Sequence, residues 1–288
     1  MTIDLDRYRV RPGARVKLAR YDPDDTGKFK SKEDAAGRLD AGIKRLFELQ
    51  QLLYGEGRYA LLLILQAMDA AGKDGTIKHV MSGLNPQATQ VFSFKAPSAE
   101  ELRHDFMWRT LRDLPERGRI GVFNRSYYEE VLIVRVHPEV LAREALPPAL
   151  VTRRIWRERF EDIRAIERYL SRNGVVIRKF FLHVSKAEQR RRFLERLDDH
   201  AKNWKFSLAD VAERERWGDY MRAYEDALGP TSTDEAPWYI VPADHKWFTH
   251  LVVAEVLIQT LESLDLKFPA LTDVQVKELA QARRRLRG

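Results

Sequence analysis

A continuous apolar run at residues 59–65 breaks off in Asp69-Ala-Ala-Gly-Lys-Asp-Gly-Thr76 and passes into a helical stretch at 77–82. No other feature of the chain narrows its folding choices as much. Apolar residues on both faces predict a strand covered above and below, as in a parallel sheet. Small residues then let the backbone turn tightly just before a helix. In such a turn successive backbone N–H groups point inward, the helix N-terminus adds a partial positive charge, and Lys73 adds a full one. Phosphate oxygens suit this arrangement, with Ala70, Ala71, Gly72, Asp74, Gly75 and Thr76 as the cradle around them. The alternative is a surface turn.

The loop departs from the G-x-x-x-x-G-K-[ST] pattern at two places. Ala67 stands where the first glycine belongs, and Asp74 follows the lysine where a Ser or Thr would meet magnesium. Asp69 offers a carboxylate inside the loop, a hard oxygen ligand for a cation beside the phosphates.

Short β-like runs recur at 90–94, 120–123, 175–184 and 238–241. Helical patterns at 98–114, 147–172 and 186–197 separate them. A helix capped by Ser31 and stopped by Gly55 and Gly57 precedes the first strand, and a last one covers 246–264. Strands alternating with helices predict an α/β fold, a central parallel sheet of about five strands flanked by helices. With 288 residues and no repeat or clear linker, one domain is the simpler organisation. Residues 1–30 read as an irregular arm and 265–288 as a solvated tail.

The chain has no cysteine, which excludes disulfides, thiolate metal sites and a cysteine nucleophile. No apolar run is long enough to span a bilayer, so no membrane partner is expected. The polar N-terminus shows no secretory signal, which makes the cytoplasm the default location. Lys plus Arg outnumber Asp plus Glu by 50 to 43. That excess matters only where it is concentrated.

One concentration lies between 185 and 235. Arg191, Arg192 and Arg196 share a helix with Lys186 and Arg190, and Lys205 follows. Read as a basic helical lid, this segment would neutralise phosphate charge and exclude water. Read otherwise, it is a solvated helix balanced by Glu188, Glu195 and Asp198. Trp217, Tyr220 and Tyr224 recur at helical spacing and read as a packing face, which speaks against a nucleic-acid stacking surface. His245 reads as the cap of the last helix.

The strand at 119–123 ends in Asn124-Arg125-Ser126-Tyr127-Tyr128-Glu129. In P-loop folds an acid at this place reaches the magnesium; here Asn124 offers a neutral oxygen. Arg125 can clamp phosphate with its planar fork, or pair with Glu129 or Glu130. Glu129 can orient Arg125 or a metal-bound water.

The loop, the run from Phe123 to His137 and the segment from Ala236 to Trp247 together resemble the polyphosphate kinase 2 family over residues 35–264. The resemblance implies a thymidylate-kinase-like P-loop fold and transfer of the terminal phosphoryl group of inorganic polyphosphate to nucleoside mono- and diphosphates. Many members of the family have aspartate at this position, and the asparagine form, Asn124, resembles the class III branch. By position Asp69 would bind Mg2+, Lys73 would serve as the loop lysine and Arg125 as a phosphate clamp. A homo-oligomer is implied as well. Asn85 and Lys95 would border the acceptor, with Arg109, Asn124 and Glu129 near it; for Arg109 a surface ion pair is the alternative.

Overall fold

The computed structural model describes residues 3–200, 203 and 208–287. Five strands form one parallel sheet in the order β2-β3-β1-β4-β5: β1 Ala60–Ala67, β2 Thr89–Ser93, β3 Ile120–Asn124, β4 Val175–His183 and β5 Trp238–Pro242. After β3 the chain crosses β1 and continues on its other side. In such sheets the crevice beyond the carboxyl ends at the reversal is where ligands bind.

Eleven helices connect or flank these strands among the described residues: α1 Lys32–Glu56, α2 Lys73–Val80, α3 Trp108–Leu111, α4 Ile133–Val136, α5 Pro138–Arg143, α6 Ile155–Arg172, α7 Lys186–Asp198, α8 Leu208–Glu215, α9 Trp217–Thr231, α10 Lys246–Glu262 and α11 Asp273–Arg287. Ser31 caps α1 by accepting from Asp34 N at 3.3 Å, and Gly57 ends it at φ 64°. Both choices follow from backbone chemistry: a hydroxyl satisfies a free N–H, and glycine enters the left-handed region without a Cβ clash. The apolar stripe of α1 (Leu46, Leu49, Leu53) is buried, and α1 packs on α10. Residues 61–64 of β1 are wholly buried, as the unbroken apolar run requires.

Several elements differ from the sequence reading. The 98–114 segment is not one helix but two short turns, Glu101–Arg103 and α3. Asp105 explains the break: its Oδ1 accepts from Met107 N at 3.0 Å, so the side chain competes for a group that a helix would use. The 147–172 pattern becomes helical only at Ile155. Most of the C-terminal segment is helical, α11, with every side chain exposed. His245 occupies the N-cap position of α10 but makes no capping bond; its ring pairs with Asp24 at 2.8 Å. Tyr220 and Tyr224 of α9 are buried, consistent with a packing face.

The N-terminal arm is irregular but seated. Val10 N donates to Trp238 O and Ile240 N to Tyr8 O, both at 2.8 Å, so the arm covers the open edge of β5. Gly229 makes room for it, since a Cβ there would stand 1.8 Å from Ala14 O.

One buried ion pair anchors the sheet. Lys179, in the middle of β4, meets Glu167 of α6 at 2.5 Å and Thr231 O at 2.6 Å. The hydroxyls of Tyr127 and Tyr128 both donate to the same carboxylate at 2.9 Å. Each charge is thus bonded on several sides, which a buried pair needs to offset its desolvation.

Candidate active site

Residues 67–76 form a closed turn over the carboxyl end of β1. Ala71 N bonds Met68 O at 3.3 Å, and the Thr76 hydroxyl, in the first turn of α2, donates back to Gly72 O at 3.1 Å. The helix begins at Lys73, four residues earlier than the 77–82 pattern indicated, with Gly72 as its N-cap at φ 107°. Ala70 also lies in the left-handed region, at φ 60°. A non-glycine residue held there is strained, and such strain gathers where a loop must present its N–H groups to a ligand.

Lys73 folds back over this turn, its Nζ 3.0 Å from Ala67 O. Desolvation, and secondarily the Arg125 guanidinium, push its pKa down to about 8. An ammonium held this way gains more from an arriving anion than a solvated one does.

Parallel register brings the second element alongside. Leu65 pairs with Asn124, so Arg125 N donates to Leu65 O at 3.0 Å. Arg125 is itself left-handed, at φ 67°. Its guanidinium bonds Asp69 Oδ1 at 3.0 Å and Glu129 Oε2 at 3.2 Å. Glu129 first, then Asp69, raise its pKa. The pairing with Glu129 foreseen as an alternative to phosphate binding is therefore present, and Asp69 belongs to the same cluster. Asn124 donates its amide to Asp74 at 2.9 Å.

Arg192 departs from the expectation of a phosphate ligand in the way it is engaged. All five of its N–H groups meet protein acceptors: Glu188 Oε1 at 2.7 Å, the Ala70 and Ala71 carbonyls at 3.0 Å each, and those of Ala243 and Asp244 at 2.6 and 2.9 Å. It ties α7 and the β5–α10 turn to the phosphate loop. Gln189 Nε2 adds a bond to Asp69 O at 3.0 Å. Neither tie was legible in the sequence, where a buried arginine and an exposed one look alike. Arg191 is exposed and pairs with Glu188 and Glu195; Arg196 lies 3.8 Å from Asp210. Lys205 lies outside the described residues.

A cavity of about 180 Å³ opens beside Arg125 and Glu129, with Lys95, His104, Arg109 and Glu144 among its walls. Arg109 is buried rather than paired on the surface: it donates to Lys95 O at 2.7 Å and lies 3.6 Å from Glu130. Burial, with Glu144 nearby, pushes the Glu130 carboxyl up to about 7. Asn85 does not line this cavity. Its backbone and Gln50 exchange bonds at 2.7 and 3.1 Å, and its side chain caps Gln87 N at 3.0 Å.

The oxygen chemistry of Asp69, Asp74, Asn124 and Glu129 fits a hard divalent cation. No cage of three or more acidic or histidine ligands occurs among the described residues. A divalent cation held by one or two carboxylates, water and substrate phosphates needs no such cage.

Residues 29–269 match the sequence family described as Polyphosphate kinase 2. The chain belongs to the polyphosphate kinase 2 family. Among its relatives is an ADP-polyphosphate phosphotransferase of Rhodopseudomonas palustris, 55% identical over 287 residues and covering 99% of both chains. An AMP/ADP-polyphosphate phosphotransferase of Meiothermus ruber is 45% identical over 266 residues, covering 92% of this chain and 96% of that one. The fold is similar to the crystal structure of polyphosphate kinase 2 from Arthrobacter aurescens, with TM-score 0.85, 41% identity and 95% of each chain covered. This polyphosphate kinase 2 member thus has the five-stranded parallel sheet with flanking helices that its sequence predicts.

Proposed function

We propose that this chain transfers the terminal phosphoryl group of inorganic polyphosphate to nucleoside diphosphates and monophosphates, reversibly and with Mg2+. One observation carries the reading. The ammonium of Lys73, folded over the backbone turn, lies within electrostatic reach of the Arg125 fork and the Asp69 carboxylate, so a phosphate chain and its cation have matching partners at one place. The relatives' activities support the substrates.

Phosphoryl transfer through a loose transition state asks the protein for alignment and charge neutralisation, not for a covalent residue. The donor's terminal phosphate lies on the loop amides and Lys73. An acceptor phosphate oxygen, presented from the cavity near Arg109 and Lys95, forms a bond to that phosphorus. The bridging P–O bond breaks, and the shortened chain leaves with the electron pair. Arg125 exchanges its carboxylate partners for equatorial phosphate oxygens. Mg2+, held by Asp69, supplies neutralising charge when bound. An anhydride is replaced by an anhydride, which is why the reaction runs both ways.

The test is direct: protein, Mg2+ and polyphosphate are incubated with AMP, ADP and other nucleotides, and triphosphate is quantified. ATP as the donor forms a parallel arm. Product from ATP and none from polyphosphate sinks the proposal.

A further inference from the structure

The N-terminal arm builds a second cationic feature that transfer itself does not use. Residues 7–25 and the carboxyl ends of β4 and β5 enclose a recess of about 370 Å³, whose walls include Arg7, Arg15, Lys17, Arg20 and His183. A neighbouring recess shares Arg20 and His183 and reaches Lys186 at the start of α7. Arg7 is paired with Asp25 at 3.2 Å and Lys17 with Glu225 at 2.9 Å. Among the described residues no carboxylate lies within ion-pair range of Arg15, Arg20 or Lys186. Arg15, Arg20 and Lys186, none of them in an ion pair, thus line two adjoining recesses together with the carboxylates of Asp22, Asp25 and Glu225, beside a buried imidazole whose Nδ1 has no hydrogen-bond partner among the described residues.

This pair of recesses adjoins the phosphate loop. Leu182 pairs with Ala67 and His183 with Pro242, so the ends of β4 and β5 are the next two positions along the sheet. That places the β4 wall about 5 Å and the β5 wall about 10 Å from the end of β1, one and two strand spacings. The link is also bonded: Arg192 joins Ala71 O to Asp244 O, and Asp244 N donates to Pro23 O of the arm at 3.0 Å. The arm's seat is specific, since Gly229 alone admits its backbone. Most of the arm lies before residue 29, where the family match begins.

We propose that this pair of recesses binds phosphate units of the polyphosphate donor distal to the reacting end, so that long chains are held at two places and short ones at one. The inference rests on polyphosphate being the donor. A second, tethered contact raises the apparent affinity of a long chain without altering the chemical step.

Arg15 and Arg20 are exposed, so the double variant R15A/R20A should fold; its melting temperature checks this. A charge-matched control, R284A/R285A, removes two exposed arginines of α11. Expected is a rise of about tenfold in KM for long-chain polyphosphate, about 1.4 kcal/mol of binding, with kcat and the KM for tripolyphosphate unchanged and the control like wild type. Equal KM values in wild type and variant at both lengths overturn the proposal, as does a shift shared by both lengths or by the control. Stabilisation of wild type but not of the variant by orthophosphate, with long-chain KM unmoved, also overturns it and marks a free-phosphate site. Wild type that uses neither donor length sinks the donor assignment itself, a result separate from equal KM values in an active enzyme.

Discussion

Arg125 Nη2 lies 3.0 Å from Asp69 Oδ1, joining the ends of two adjacent strands across 56 residues of sequence. The guanidinium and the carboxylate neutralise each other, and under the proposed function both change partner when phosphate and cation arrive. Asp69→Asn keeps the shape and removes the charge. Expected is a loss of about 10²–10³-fold in kcat/KM, together with a higher Mg2+ concentration for half-maximal rate. A Mg2+ titration of initial rates decides it; an unchanged midpoint removes Asp69 from cation binding.

Lys73→Ala should abolish transfer, by about 10³-fold or more, and leave the fold intact. The side chain's one described bond is to a loop carbonyl, so circular dichroism and melting should stay close to wild type. Full activity with polyphosphate and ADP would refute the assignment.

The low pKa of Lys73, about 8, gives the pH profile a defined alkaline limb. The ammonium form is the competent one, so kcat/KM should fall as pH rises through that value, because this parameter reports free-enzyme groups. Bound phosphate favours the charged form, so the limb in kcat should sit at higher pH. Coincident limbs would contradict a lysine that touches the donor.

Arg192→Lys preserves charge but cannot reach four carbonyls and a carboxylate at once. Rates should fall roughly 10- to 100-fold. Amide exchange should accelerate at 70–75 while β1 and β4 stay protected. Unchanged loop exchange would show that the loop holds its own shape.

Lys179→Met leaves the Glu167 carboxylate buried without its cation. Breaking such a pair costs about 3–5 kcal/mol, measurable by urea unfolding, and Glu167→Gln in the same chain should recover part of it.

What the sequence made legible was local. The 59–65 run, the small residues after it and the following helix each follow from short-range physics, and β1, the turn and α2 appear where they were expected within a few residues. Arg125 was readable because register places the end of one parallel strand beside the end of the next. The role of Arg192 was not, since its five acceptors come from three separate stretches of chain and no pattern announces them. α11 escaped notice for a different reason: its run of arginines reads as a solvated tail, and its apolar residues Val274, Leu279 and Leu286 stay exposed. The arm was read as irregular; that it carries two short helical turns and seals β5 depends on tertiary pairing that spans more than 200 residues.

The Arg192 brace also sets an order of events during synthesis. The two carbonyls it holds in the phosphate loop precede it by 122 and 121 residues, and the other two carbonyls it holds, of Ala243 and Asp244, emerge about 50 residues later still. A ribosome therefore releases the loop long before the group that fixes its shape, and that group stays half-satisfied until β5 has followed. Catalytic competence arrives with the last quarter of the chain, and a fragment ending before residue 243 would carry every conspicuous motif of the loop without the means to hold it in place.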